Sequence, residues 1–438
     1  MSDTDVKPAV SLGVIFLTIF IDLLGFTIIF PLFPAILQHY LAVDGGSGLL
    51  GWLVARIDDF ARLAGSHSNY REVLFGGVLG SIYSFLQFLM SPVWGAMSDR
   101  MGRRFVLLVT VSGTVLSYVL WFFSGSFGLF VLARLIGGGF AGNLSVATAA
   151  VADVTTRENR AKGMGLVGVA FGLGFLFGPA LGSIAAMHDF SPFHPRWVSW
   201  GVNPFSGAAL LALVFSLINL LWVATRFKET LDPLHRDSGG SERIRHPLHA
   251  LLNLEPGPVR RTDWMYFIFT LAFVGMEFSL PFLATDRFHY TAASMYKLFV
   301  FLGFMLILTQ GGLVRRAVPR FGERAVLLAG MVVVVMGFLL TGFSPTRTWL
   351  YLGLAGLGIG SGLSNPTFSA LVSLYSRADQ QGRMLGVFRS LGSLARGIGP
   401  LVACLIYWWR GAVALYLVGA LVLIIPLVFA LRLPAPKK

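Results

Sequence analysis

GAMSDRMGRRFVLL, residues 95–108, sets one acid and three arginines in a short turn between two long apolar runs. Each run is close to 20 residues, enough for a helix to cross a hydrocarbon core of about 30 Å. A charged turn between two such runs marks a place where the chain leaves a membrane and re-enters it. The same alternation repeats outward in both directions. Twelve apolar runs lie at about 10–35, 73–98, 105–124, 127–152, 163–186, 205–225, 264–285, 293–314, 324–344, 348–374, 384–408 and 412–432.

Composition supports this reading. Hydrophobic residues make up 55% of the 438 and charged residues 13%, with a mean hydropathy of +0.73, too apolar for an ordinary soluble chain. The first run is too long, and too punctuated by Pro31 and Pro34, for a cleaved signal. The net charge of +13 raises the question of nucleic acid. Most Lys and Arg, however, fall on the side of the two termini once the runs are threaded through a bilayer. That asymmetry accounts for the charge and orients both termini to the cytoplasm. The membrane is a cell membrane, inner or plasma, or an internal one. Cys404 is the single cysteine, so neither an intramolecular disulfide nor a cysteine zinc site is available.

The runs form two groups of six. Residues 1–225 are expected as an N-terminal bundle, 226–263 as a cytoplasmic linker and 264–438 as a C-terminal bundle. The linker is polar and basic, with HPLHALLNL as a candidate interfacial helix. After the first run, GLLGWLVARIDDFARLAG has apolar residues at helical spacing and suits a helix on the outer surface. The halves echo each other. Gly165, Gly178 and Pro179 correspond to Gly386, Gly399 and Pro400 at one offset, and Gly102 of the charged turn corresponds to Gly322. Two parallel six-helix repeats make an all-α membrane protein of twelve transmembrane helices, with a cavity between pseudo-symmetric bundles.

At this point a resemblance enters. GAMSDRMGRR resembles the loop signature of the major facilitator superfamily, FIDLLGFTIIFPLFP the first span of tetracycline and multidrug antiporters, and GFLFGPALG the fifth-span signature of proton-driven antiporters. EVLFGGVLGSIYSFLQFL, RLIGGGFAGNLSVATAAVAD, FRSLGSLARGIGPLVA and the Glu in VGMEFSLPFL are similar to the tetracycline transporter-like proteins. The resemblance implies the major facilitator fold and transport of organic anions or drugs.

Charges inside the runs are the candidate chemistry, because each is costly in lipid without a partner or a wet cavity. Asp22 lies roughly 17 Å in from the inner face, Arg134 roughly 10 Å from the outer face, and Glu277 and Arg396 roughly 20 and 18 Å deep by helix rise. Asp22 is the leading proton carrier, with Arg134 as its expected partner; the blander alternative is a fixed ion pair. Glu277 is either a second proton or substrate site or half of a salt bridge with a second-half arginine. Arg396 suits an anionic substrate, because guanidinium pairs bidentately with carboxylate. Arg389, seven residues earlier on the same face, is set against simple snorkelling. Gln87, Asn143, Gln310 and Asn365 are cavity-lining candidates, or interhelical hydrogen-bond formers.

Gly95, Asp99, Gly102, Arg103 and Arg104 read as a cytoplasmic gate, with Asp99 pairing to Arg157, Arg160 or a helix N-terminus and letting go on inward opening. The second-half copy has no acid to match Asp99, so the latch should be asymmetric. Gly174, Gly178, Pro179 and Gly182 form a fifth-span hinge or seal, or a plain packing seam. No phosphate-binding glycine loop, metal-binding histidine pair or nucleophile elbow is present in the sequence, so the chain is expected to be no enzyme and to need no cofactor. A proton gradient is the expected driving force. The expected partners are a small organic solute and the lipid bilayer, with no nucleic acid and no nucleotide, and the chain is expected to act as a monomer. The leading function is proton-coupled antiport or efflux of organic anions or amphipathic drugs by alternating access. Facilitative anion transport without protons, and a non-transporting scaffold or receptor, are the alternatives.

Overall fold

Gly102, in the charged turn, holds φ at 98°, a left-handed value that only glycine adopts without strain. Its second-half counterpart Gly322 holds φ at 80°, so both halves reverse direction at the same point with the same residue. The structure is a computed structural model, and it describes residues 12–44, 48–63, 71–155, 160–192, 195–231, 257–376 and 381–434. Among these there is no strand. HPLHALLNL and Arg157 lie outside the described residues.

The first half runs α1 (Leu12–Thr27), α2 (Phe33–Asp44), α3 (Gly48–Leu63), α4 (Arg71–Met101), α5 (Arg103–Phe122), α6 (Phe127–Phe140), α7 (Asn143–Asp153), α8 (Arg160–Ala185), α9 (Pro195–Val198) and α10 (Ser206–Arg226). The second half runs α11 (Pro258–Phe288), α12 (Tyr296–Leu308), a π-helical turn Thr309–Val314, α13 (Arg315–Phe321), α14 (Glu323–Gly342), α15 (Arg347–Tyr375) and α16 (Gln381–Leu431). Helix α3 is the surface helix expected from its spacing. Helix α11 begins at Pro258, earlier than the expected 264, which shortens the linker.

Several spans are broken rather than straight. A 3-10 turn at Phe30–Leu32, beside Pro31, separates α1 from α2 within one continuous apolar crossing, Leu12–Asp44. Among the described residues, ten segments are long and apolar enough to cross a membrane. One of them, Ser390–Leu431, is two pieces joined at a kink at Gly411, where φ is 80°. The 29-residue α15 is a further long helix beside these ten. With it, and with the kinked piece counted as two, the tally agrees with the twelve spans expected.

Side chains fix which ends lie together. Trp222 Nε1, late in α10, donates to Val14 O at the start of α1, and Arg324 Nη2 donates to Leu431 O at the end of α16. This end, with the Gly102 and Gly322 turns, is here called the termini end. At the far end the Tyr40 hydroxyl donates to Ser124 O at 2.6 Å, and Asn203 Nδ2 donates to the same carbonyl at 3.0 Å.

Outward faces carry exposed Leu221, Leu421, Val332 and Ile425, the reverse of a soluble protein and the arrangement lipid requires. Because lipid tails are as apolar as leucine, close packing rather than burial of oil must hold the helices together. Along the seam between α1 and α8, a methyl added at Gly178 would strike Thr27 Oγ1, and one at Gly182 would strike Ile28 O. Thr27 Oγ1 then reaches Gly174 O at 2.9 Å, a hydrogen bond that only this close approach permits. Helix α8 runs on through Pro179.

Candidate functional site

The two halves meet at the far end and part toward the termini end. Phe278 of α11 packs on Phe30 and Phe33 at ring distances of 5.6 and 5.0 Å, and Leu176 of α8 fills the space beside Gly303 of α12. Below this seal lies a cavity of about 510 Å³, lined from the first half by α8 (Gly172, Phe175) and from the second by α11, α12, the π-helical turn, α15 and α16. Glu323, Ser373 and Leu374, near the termini end, are also in its wall.

Most of that wall is apolar or aromatic, with Tyr266, Phe269, Phe273, Phe299 and Phe388 prominent. Glu277 and Arg396 are its charged members at depth, and Gln310 and Asn365 line it too. Arg396 has room because Gly392, one turn earlier, leaves space for Tyr266; a methyl there would lie 2.9 Å from the Tyr266 ring and 3.3 Å from Arg396 Nη2. Glu277 is 5% exposed, and Arg396 is near enough to act on it electrostatically.

Arg396 also borders a second, much smaller recess of about 10 Å³, together with Asp22, Gln87, Tyr83 and Ser393. Phe175 lines both spaces. One guanidinium thus lines two spaces, one shared with a first-half acid and one with a second-half acid. Asp22 Oδ1 accepts a hydrogen bond of 2.7 Å from Asn143 Nδ2, across from α1 to α7.

The expected pairing of Asp22 with Arg134 is not what forms. No Asp22–Arg134 contact falls within salt-bridge distance, and Arg134 is instead caged by aromatic rings, 5.6 Å from the Tyr83 centroid and 5.2 Å from that of Trp121. Its side chain is 2% exposed, and Nε and Nη2 have no hydrogen-bond partner. Cation–π attraction of about 2 kcal/mol per desolvated contact substitutes for a carboxylate. Asp22 and Arg134 share Tyr83 and Tyr118 as electrostatic neighbours. The side chain of Arg389 lies outside those described.

The charged turn makes a knot inside the first half. Arg103, 2% exposed, pairs with Asp99 at 2.5 Å and with Asp153, at the end of α7, at 2.9 Å, and donates to Ser98 Oγ. Glu229 accepts from the backbone N–H groups of Arg103 and Arg104, and Arg104 Nη2 donates to Ala224 O. Arg324 repeats the last contact in the second half, on Ala430 O and Leu431 O. The residue that matches Arg103 there is Glu323, so the buried knot exists in one half only. Gly95 lies against Ser145 of α7. The side chain of Arg160 is outside those described; among the described residues Asp99 is held by Arg103. These Arg103 contacts are present while the cavity extends toward this end; the expected pairing of Asp99 with Arg157 or Arg160 falls outside the described side chains.

Four residues of the site carry no signal picked out in the sequence. Tyr83, Tyr118 and Trp121 carry no charge to draw attention, although the spacing of Tyr118 and Trp121 puts both on one face of α5. Asp263 escaped because PVRRTD reads as linker; Gly257 followed by Pro258 is the signal for a helix start that would have placed it in the span.

A family model for the Major Facilitator Superfamily matches residues 15–321 and 311–438. Major facilitator superfamily domain-containing protein 10 of Homo sapiens is 35% identical over 97% of this chain and 93% of its own length. Tetracycline resistance protein, class C, of Escherichia coli is 28% identical over 93% of this chain and 95% of its own. The crystal structure of the human organic anion transporter MFSD10 (TETRAN) superposes with a TM-score of 0.74 at 35% identity, covering 96% of this chain and 98% of that one. This chain therefore belongs to the major facilitator superfamily, as a multi-pass integral membrane transporter.

Proposed function

We propose that the protein moves organic anions, including amphipathic drugs with an acidic group, by alternating access coupled to protons. The observation that carries this reading is the position of Arg396, bordering both the large aromatic cavity with Glu277 and the small recess with Asp22. A guanidinium in a largely apolar cavity attracts a carboxylate or enolate, and the surrounding rings bind the apolar remainder of such a solute. The volume is in the range of small-molecule sites, about 300–1,000 Å³. Two acids beside one cation give the coupling. When Asp22 and Glu277 are ionised they compete with the substrate for Arg396; when either takes up a proton, Arg396 turns to the anion. The relatives support the substrate class: one is an organic anion transporter, and another is a tetracycline resistance protein.

In this reading the termini are cytoplasmic, as the Lys and Arg distribution favours, and the cavity faces inward. The two bundles, the second beginning with α11 at Pro258, rock about the cavity and so part the Phe278 seal, and a single copy suffices. Gly178 and Pro179 serve that rocking as part of the seam on α1. The one-sided Arg103 knot keeps the first bundle rigid as it moves, so Asp99→Asn slows cycling and spares affinity. The test is uptake of aromatic carboxylates and tetracycline into proteoliposomes, with and without a pH gradient. Gradient-stimulated uptake that Asp22→Asn abolishes is the expected result. Uptake indifferent to the gradient, and unchanged by Asp22→Asn, would leave a facilitative anion carrier; no uptake of any solute would favour a scaffold.

A further inference from the structure

Asp263 is the sixth residue of α11 and is wholly buried, and neither of its carboxylate oxygens has a hydrogen-bond partner among the described residues. An ionised carboxylate held in this way is strongly disfavoured, whereas a protonated one is tolerated. Its position along the helix is equally specific. Asp263, Thr270 and Glu277 recur every seven residues, so they follow one face of α11 at steps of about 10 Å. Thr270 and Glu277 line the cavity, and Thr270 Oγ1 likewise has no hydrogen-bond partner. One turn from Asp263 toward the cavity, Tyr266 stacks on Phe388 with ring centroids 3.8 Å apart, and both rings are part of the cavity wall. Asp263 itself is not in that wall.

We propose that Asp263 is a proton-binding site of the transport cycle, loaded behind the Tyr266–Phe388 stack and discharging along the Thr270 face of α11 to Glu277. This rests on the proton-coupled reading above. The stack is the shutter: while it is closed, Asp263 is isolated from the cavity. When Tyr266 swings away, the Asp263 O–H bond breaks, the Thr270 hydroxyl and cavity water each accept one proton and donate one, and a new O–H bond forms on Glu277. No proton is gained or lost on the way. Among the described residues the charged and titratable groups around this route are few, Glu323 being the other carboxylate in the cavity wall. Arg260 and Arg261 precede Asp263 on its own helix, and Arg396 and Arg389 lie on α16, the latter's side chain outside those described. Helix α15 presents Tyr375 and, from Trp349 onward, no charged side chain. No described cation comes within salt-bridge distance of Asp263.

The test needs no knowledge of the physiological substrate. Infrared difference spectra of the purified full-length protein at neutral pH report the carbonyl stretch of protonated carboxyl groups. The wild type should show such a band that is missing from Asp263→Asn, with Asp263→Glu restoring it at a shifted position. Absence of a band assignable to residue 263 overturns the proposal. In proteoliposomes, with fluorescein as the anionic probe, Asp263→Asn should keep gradient-free exchange and lose at least about tenfold of gradient-driven uptake. Gradient-driven uptake in the wild type that Asp263→Asn leaves unchanged overturns this inference alone. Wild-type uptake that ignores the gradient overturns the proton-coupled reading, and the relay with it, even where the infrared band is present.

Discussion

Arg396 lines both the cavity that holds Glu277 and the recess that holds Asp22, and its chemistry is not replaceable by charge alone. A guanidinium can meet a carboxylate through two parallel hydrogen bonds, whereas an ammonium offers a point charge. Arg396→Gln should therefore raise the half-saturation concentration for an organic anion by about 10–100-fold, equivalent to about 1.5–3 kcal/mol. Arg396→Lys should recover only part of that, and concentration-dependent uptake by the three proteins compares them directly. Arg103 differs in kind, because it touches no part of the cavity wall. Its guanidinium neutralises Asp99 and Asp153 while itself almost wholly buried, so Arg103→Ala removes the cation from two partly exposed carboxylates and should cost about 3 kcal/mol. Asp99→Asn leaves Arg103 with Asp153 and Ser98, and should cost about 1 kcal/mol. Thermal melts in detergent should rank the two variants in that order, with substrate affinity of the folded protein unchanged by Asp99→Asn.

Between helices, the decisive contacts are made by what is absent. At Gly182 the opposing atom is a backbone oxygen, Ile28 O, which cannot rotate out of the way as a side chain can. Gly182→Ala should thus sharply lower the folded yield, while Gly172→Ala, ten residues earlier with open space at its Cβ position, should express like the wild type. Size-exclusion profiles from matched expression cultures are the measurement. This seam was partly legible beforehand. The shared offset of Gly178-Pro179 and Gly399-Pro400 announced the repeat, and in the second half Gly399 does approach Leu271 O and Gly275 N on α11. The span count and the Gly102 and Gly322 turns were legible for the same reason: hydropathy and glycine are properties of the chain itself. What could not be read were choices made in three dimensions. Arg134 takes aromatic rings over a carboxylate, and Arg396 reaches across the bundles to Asp22's recess. The π-helical turn at Thr309–Val314 is another such choice: it carries cavity-lining Gln310 and follows from neither Gly311 nor Gly312 alone.

For the molecule as a whole, one end is shut by aromatic side chains while the cavity extends toward the other, so transport demands that the shut end open. The seal is local. Phe30 and Phe33 come from the broken first crossing, and Phe278 comes from the middle of α11, one residue after Glu277. Substrate or proton at Glu277 is thus within one peptide of the residue that holds the halves together, a short path from binding to opening. Closing that path should stop turnover without emptying the site. In a Cys404→Ser background, which removes the single native thiol, Phe33→Cys and Phe278→Cys place two thiols across the seal. Joining them with a short bifunctional methanethiosulfonate should abolish uptake into proteoliposomes, and a reductant should restore it. Binding of the same anion, measured by tryptophan quenching from the side of the open cavity, should persist in the linked protein. Each single-cysteine control should transport normally after the reagent. Turnover that continues with the two residues joined would mean that the far end is not the exit, and that the solute enters and leaves by the same mouth.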